Sequence, residues 1–117
     1  MDKEEMKRRT KQFALRVIRL VESLPNGRTA EVIGRQLLRS GTSVGANYRA
    51  ACRAKSTADF ISKMGTVEEE ADESSYWMEL LVEAEIVKAD RPESLMKEAD
   101  ELLAITVASV NTAKRKH

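Results

Sequence analysis

The chain has one cysteine, one histidine, two prolines and five glycines in 117 residues, and each scarcity excludes something. A lone Cys52 cannot close an intramolecular disulfide. The single histidine, His117, stands at the end of the sequence, which argues against histidine-based catalysis and His-rich metal sites. Aromatic residues make up only 4% of the chain. No stretch alternates polar and apolar residues with a period of two, so no strands are expected. No apolar run approaches the roughly 20 residues that cross a bilayer. The start, MDKEEMKRRTK, is too polar for a secretory leader, and a cytoplasmic protein without membrane partners is expected.

What is present are helix formers. Ala, Leu, Glu, Arg and Lys dominate, with 42% hydrophobic and 33% charged residues. This composition is that of one globular domain over residues 1–117, burying roughly 65% of its unfolded surface. The expected fold is all-α, an antiparallel up-down-up-down four-helix bundle.

Four helices can be drawn. The first spans about residues 4–24, with Met6, Phe13, Val17, Leu20 and Leu24 inward, and Pro25-Asn26-Gly27 stops it. The second spans about 29–54, with Thr29 as a candidate N-cap and Ile33, Leu37, Val44, Tyr48 and Ala51 inward. Ser40-Gly41-Thr42-Ser43 is poor helix sequence, but the apolar phase before it continues after it, so one continuous helix is expected. The third spans about 57–87, with Phe60, Met64, Val67, Ala71, Met78 and Val82 inward. The fourth spans about 92–113, with Leu95, Ala99, Leu102, Thr106 and Val110 inward and a frayed tail from Lys114 to His117.

Charge is unevenly divided. Residues 1–60 carry 13 Lys/Arg and 6 Asp/Glu, and residues 61–117 carry 7 and 13, so a +7 half and a −6 half sum to +1. Winding the second helix at 100° per residue gathers Arg28, Arg35, Arg39, Arg49 and Arg53 into a sector about 80° wide, opposite its apolar face. Guanidiniums stay charged and bind phosphate bidentately, so the stripe suits nucleic-acid phosphates. Glu31 borders the stripe, and pairing with acids of a neighbouring helix or subunit is the competing explanation.

Gly34, Gly41, Gly45 and Cys52 form a second stripe of small residues, which points to close helix packing inside the bundle or between subunits. Cys52 reads as a small buried hydrophobe with no histidine to activate it. Asn47 and Ser43 are candidates for interhelical hydrogen bonds. On the third helix, Asp72 or Glu68 is a candidate buried partner for an arginine. Trp77 lies off the main apolar stripe, as a subunit contact or as cover for the bundle edge. Apolar residues on two sides of this helix suggest oligomerisation. The many carboxylates do not form a di-iron site, since the chain contains no Glu-x-x-His. No nucleophile–base pair, Gly-rich phosphate loop or metal-ligand cluster is present, so neither an enzyme nor a cofactor is expected.

Two blocks carry a resemblance. One is Gly34-Arg35-Gln36-Leu37-Leu38-Arg39-Ser40-Gly41-Thr42-Ser43-Val44-Gly45-Ala46-Asn47-Tyr48-Arg49-Ala50-Ala51. The other joins Asp59-Phe60-Ile61-Ser62-Lys63-Met64-Gly65 to Glu70-Ala71-Asp72-Glu73-Ser74-Ser75-Tyr76-Trp77-Met78-Glu79-Leu80-Leu81. Together they resemble the four-helix bundle proteins encoded in 23S ribosomal RNA intervening sequences, also called S23-type, over about residues 10–110. The resemblance implies an antiparallel bundle, ring-like homopentamers and no enzymatic activity. Related proteins are accessory factors of diversity-generating retroelements, binding a reverse transcriptase and nucleic acid through a basic surface. It places Arg35, Arg39, Arg49 and Arg53 at the basic positions and gives Asn47, Tyr48, Asp72, Glu73 and Trp77 structural roles. The expected function is non-enzymatic binding of RNA or RNA–DNA by a homo-oligomer with little sequence preference. The alternative is a protein scaffold for a reverse transcriptase.

Overall fold

A computed structural model describes residues 1–116. Four helices follow one another: α1 (Lys3–Glu22), α2 (Arg28–Cys52), α3 (Thr57–Glu83) and α4 (Glu93–Lys116). They lie along a body of 48 × 21 × 20 Å. Around the bundle, α2 contacts α1 and α3, and α4 contacts α3 and, more sparsely, α1. The contacts run in opposite chain directions. Gly34 faces Leu24 and Val21, Gly41 faces Val17, and Gly45 faces Thr10, so α1 and α2 are antiparallel. Arg9 meets Glu98 while Arg16 meets Ser94, which makes α1 and α4 antiparallel too.

The helix ends follow local chemistry. Asp2 caps α1, its Oδ1 accepting the Glu5 amide at 2.8 Å. Gly27, at φ 146°, is the N-cap of α2, which starts at Arg28, one residue ahead of the expected start, so Thr29 lies inside the helix and is not its N-cap. Only glycine enters that backbone region readily. Ser56 Oγ accepts the Asp59 amide at 3.0 Å, and Asp59 Oδ2 accepts the Lys55 amide at 3.0 Å, which fixes the start of α3 from both sides.

α3 ends at Glu83, four residues before the expected Val87. Glu85 takes φ 60°, the Ile86 amide donates back to the Leu81 carbonyl at 2.9 Å, and the Glu85 amide to Val82 at 3.0 Å. This is a Schellman closure with glutamate in the position that glycine usually fills. α4 begins after the buried Pro92, whose carbonyl accepts the Met96 amide at 2.8 Å, and continues to Lys116, past the expected end at Ala113.

α2 is unbroken through Ser40–Ser43. Its hydroxyls donate back into their own helix, Thr42 to the Leu38 carbonyl at 2.7 Å and Ser43 to the Arg39 carbonyl at 2.6 Å. The hydroxyls therefore need no partner outside the helix. The core seam of α3 is Met64, Val67, Ala71, Ser74, Met78 and Leu81. This is a strict alternation of three and four, so the buried line drifts around the helix as a 3.5-residue repeat does. Leu81 therefore takes the fully buried place expected of Val82, and Phe60 is only half-buried. Polar Ser74 holds a core position because its hydroxyl donates to the Glu70 carbonyl at 2.9 Å and lies 3.1 Å from Ser40 Oγ on α2. Among the described residues no helix is long and apolar enough to cross a membrane.

Candidate nucleic-acid interface

Arg28, Arg35, Arg39 and Arg49 on the outer face of α2, and Arg53 at its C-cap, are all exposed, away from Leu37, Val44 and Ala51. Among the described residues, the stripe makes one ion pair, Arg35 to Glu31 of the same helix at 2.9 Å. Both of its side chains are about two-thirds exposed or more, so the pair is worth about 0.3–0.5 kcal/mol and opens readily. Arg28, Arg39, Arg49 and Arg53 make no ion pair with a carboxylate of the described residues, and only Arg39 lies near enough to one, Glu70 of α3, to favour its charged form, so most of the stripe is left unneutralised.

The stripe continues onto α1. A groove of about 460 Å³ runs between α1 and α2. Small residues, Ala14, Gly45 and Ala46, form part of its lining, and Lys7, Arg8, Lys11 and Arg49 border it with one acid, Glu4. The sequence reading missed the α1 contribution. Lys7, Arg8 and Lys11 alternate with the buried Met6 and Thr10, so the period of α1 alone does not join them to the stripe. They become part of a surface only when α2 lies beside them. The available signal was the excess of base over acid in residues 1–60.

The small-residue stripe lies inside the bundle, against α1. A Cβ on Gly41 would stand 2.7 and 2.8 Å from the two γ-carbons of Val17, and one on Gly45 would stand 3.1 Å from Thr10 Oγ1. Cys52 is half-buried at the edge of the core. It lines an open hollow of about 990 Å³ at one end of the bundle with Phe60, Ile105, Lys3 and Lys116. Tyr48 is buried beside it; burial, and then the Cys52 thiol, push its phenol well above the usual tyrosine range.

Asn47 bonds within α2, donating to the Ser43 carbonyl at 2.8 Å, and the buried hydrogen bond from α2 to α3 is instead that of Ser74 to Ser40. Asp72 is exposed and Glu68 only half-buried, and neither is paired with an arginine among the described residues. The carboxylate the fold hides is Glu70, because the drift of the α3 seam turns it toward α2. Its Oε2 is out of contact with solvent and has no hydrogen-bond partner. Burial and Glu73 raise its carboxyl above the usual range, partly countered by Arg39 and Ser43 of α2. Trp77 is half-buried against the core with its Nε1 enclosed and unbonded. The neighbouring Tyr76 ring stands edge-on to it, centroids 5.1 Å apart, and is 53% exposed.

On the other flank of α1, Arg9 is held by Glu98 at 2.6 and 3.0 Å and by Glu101 at 3.1 Å. Among the described residues no cluster of three or more His, Cys, Asp or Glu side chains could hold a metal ion.

These features define a class: a single helical bundle with a basic flank on α1 and α2 and an acidic sequence half in α3 and α4. The chain belongs to the 23S rRNA-intervening sequence protein family, whose model matches residues 2–108. It is similar to a solved structure from Bacteroides thetaiotaomicron VPI-5482, a protein of unknown function from the S23 ribosomal protein family. The two share 37% identity and a TM-score of 0.84, over 90% of this chain and 97% of that one. No match is found among curated proteins.

Proposed function

We propose that this protein is a non-enzymatic cytoplasmic binder of nucleic-acid phosphates. The observation that carries the reading is the outer face of α2. It presents five exposed arginines, of which four have no carboxylate partner among the described residues, and Lys7, Arg8 and Lys11 extend it across a shared groove. Contacts of this kind are to phosphates and carry little sequence information. RNA or RNA–DNA is the expected ligand class.

The family's ring-like assembly would multiply such contacts by avidity. Self-association is favoured by charge, since the +7 and −6 halves of the sequence lie mainly on different helices, α1 and α2 against α3 and α4. A homopentamer is the expected form.

Salt titration of a short RNA tests the reading. Displacing counterions at about five phosphates weakens affinity on the order of a hundredfold between 50 and 200 mM salt. Charge reversal at Arg35, Arg39 and Arg49 removes the binding. A folded triple variant with unchanged affinity refutes the interface. A second reading, a scaffold for a reverse transcriptase of the retroelement type, is favoured by exposed Tyr76 beside Trp77, an aromatic pair suited to a protein partner. On that reading Tyr76→Ala removes partner binding and leaves RNA binding intact.

A further inference from the structure

The seam between α1 and α4 repeats itself one heptad along, with its charge changed. Arg9 reaches across to Glu98 and Glu101 and is neutralised there. Seven residues on, Arg16 occupies the same face of α1. Because the helices are antiparallel, the residues that meet it lie seven back on α4 and its lead-in, Arg91 in place of Glu98 and Ser94 in place of Glu101. The slot closed by carboxylates at one level is left positive at the next.

That level is a groove of about 270 Å³ lined by Arg16, Arg19, Leu20, Arg91, Ser94 and Leu95, with three guanidiniums and no carboxylate. Asp90 and Glu93 flank Arg91 in the sequence, yet neither lines the groove. Arg16 Nη2 donates to Ser94 Oγ at 2.7 Å, which leaves the serine hydroxyl proton free to donate elsewhere. The amides of Ser94 and Leu95 belong to the first turn of α4, ahead of its first internal hydrogen bond, and the helix dipole there favours an anion. The three arginines share one groove whose lining holds no carboxylate to balance them. A doubly charged oxyanion, able to accept several forked hydrogen bonds, balances those charges better than the single charge of a phosphodiester.

We propose that the groove of Arg16, Arg19, Arg91 and Ser94 binds a phosphate dianion, either free or as the terminal phosphomonoester of a strand. This site lies on the opposite flank of α1 from the α1–α2 groove and does not depend on the α2 interface.

Calorimetric titration of the purified full chain with inorganic phosphate, against chloride at matched ionic strength, tests it. Saturable binding is expected, weakened at least tenfold by Arg91→Gln and by Arg19→Gln, both at exposed positions, and unaffected by Arg35→Gln on α2. Absence of saturable binding in the unaltered protein, or equal affinity in the Arg91→Gln and Arg19→Gln variants, overturns the proposal. A second arm compares one RNA bearing a 5′-phosphate or a 5′-hydroxyl, in the charge-reversed α2 background. Given phosphate binding, a preference for the phosphorylated end that is lost with Arg91→Gln supports a strand terminus as the source. Equal binding of the two ends supports free phosphate. Because the α2 variant lacks the other interface, failure of either site is read separately.

Discussion

Substituting alanine for two helical glycines changes stability in opposite directions. Both Gly41 and Gly65 lie inside helices, where alanine is favoured over glycine by about 1 kcal/mol. At Gly65 nothing lies within 4 Å of the added carbon, so the full gain is expected. At Gly41 the same carbon meets Val17 at 2.7, 2.8 and 3.0 Å, and the last contact is with Val17 Cβ. Val17 is β-branched and fully buried, so it cannot swing aside, and α1 must move. Overpacking costs about 1–3 kcal/mol, and contacts this short with a residue that cannot yield put it in the upper part of that range, about 2–3 kcal/mol, so that the helix gain still leaves a net loss of about 1–2 kcal/mol. For a chain of this length about 4 °C accompanies each kcal/mol. Thermal and urea unfolding followed by circular dichroism should place Gly65→Ala about 4 °C above the unaltered protein and Gly41→Ala about 4–8 °C below it. In a Val17→Ala background Gly41→Ala should cost little, a coupling of at least about 1 kcal/mol. The close contact as described is wrong if Gly41→Ala stabilises as Gly65→Ala does. Gly34→Ala should be the mildest of the α2 glycine changes, because its nearest neighbour is the far end of Leu24 at 3.0 Å.

Three further outcomes follow from the helix ends and the half-buried charges. Glu85→Gly should raise unfolding free energy by about 0.5–1 kcal/mol, since glycine adopts φ 60° without the left-handed penalty; a loss in chemical denaturation would count against the Schellman closure. Arg9→Ala should cost about 2–3 kcal/mol in urea unfolding by stranding half-buried Glu98, while Glu101→Ala, removing a 64% exposed partner, should cost under about 1 kcal/mol. Asp59 and Glu70 should respond to pH with opposite sign. Asp59 is held below its usual 3.8 by Lys63 and by the Lys55 amide, so its stabilisation is present at neutral pH and is lost as pH falls below about 4. Glu70 is raised above its usual 4.5, so its penalty is absent at low pH and grows as pH rises through and above that value. Glu70→Gln should therefore raise the melting temperature at pH 7 and have little effect at pH 4, whereas Asp59→Asn should lower it at pH 7 with the loss fading as pH falls below 3.8.

Much of the fold was legible because apolar spacing reports burial directly. Met6, Phe13, Val17 and Leu20 on α1, and Leu95, Ala99, Leu102, Thr106 and Val110 on α4, are buried as their periods require. The continuity of α2 through Ser40–Ser43 was legible for the same reason. Errors arose where polar residues did apolar work or a stop lacked its usual residue. Ser74 is a core position that its hydroxyl marks as polar, and a seam drawn from apolar residues alone leads to Val82. α3 ends before its apolar spacing does because Glu85, neither glycine nor proline, makes the turn. Asp72 seemed closer to the core than Glu70 only while the seam was drawn without drift. The basic stripe of α2 was visible because it lies on one helix. Its extension through Lys7, Arg8 and Lys11, and the groove joining Arg16 to Arg91, depend on how helices pair, which no local period encodes.

The pairing of α1 with α2 connects packing to the proposed interface. Thr10 faces Gly45 across the helix contact, and both line the groove that carries Lys7, Arg8, Lys11 and Arg49. The closeness that forbids a Cβ at Gly41 also sets how near the α1 bases stand to the α2 arginines. Separated charges on an exposed surface lose their mutual field within a Debye length of about 8 Å, so the summed potential over the groove depends on that spacing. A Gly41→Ala variant kept below its unfolding temperature should thus weaken RNA binding and flatten its salt dependence, although position 41 is buried and carries no charge. Gly65→Ala, on α3 away from this groove, should leave both unchanged. Equal RNA affinity in the two folded variants would mean that the arginines act as independent contacts and that the helix spacing serves stability alone.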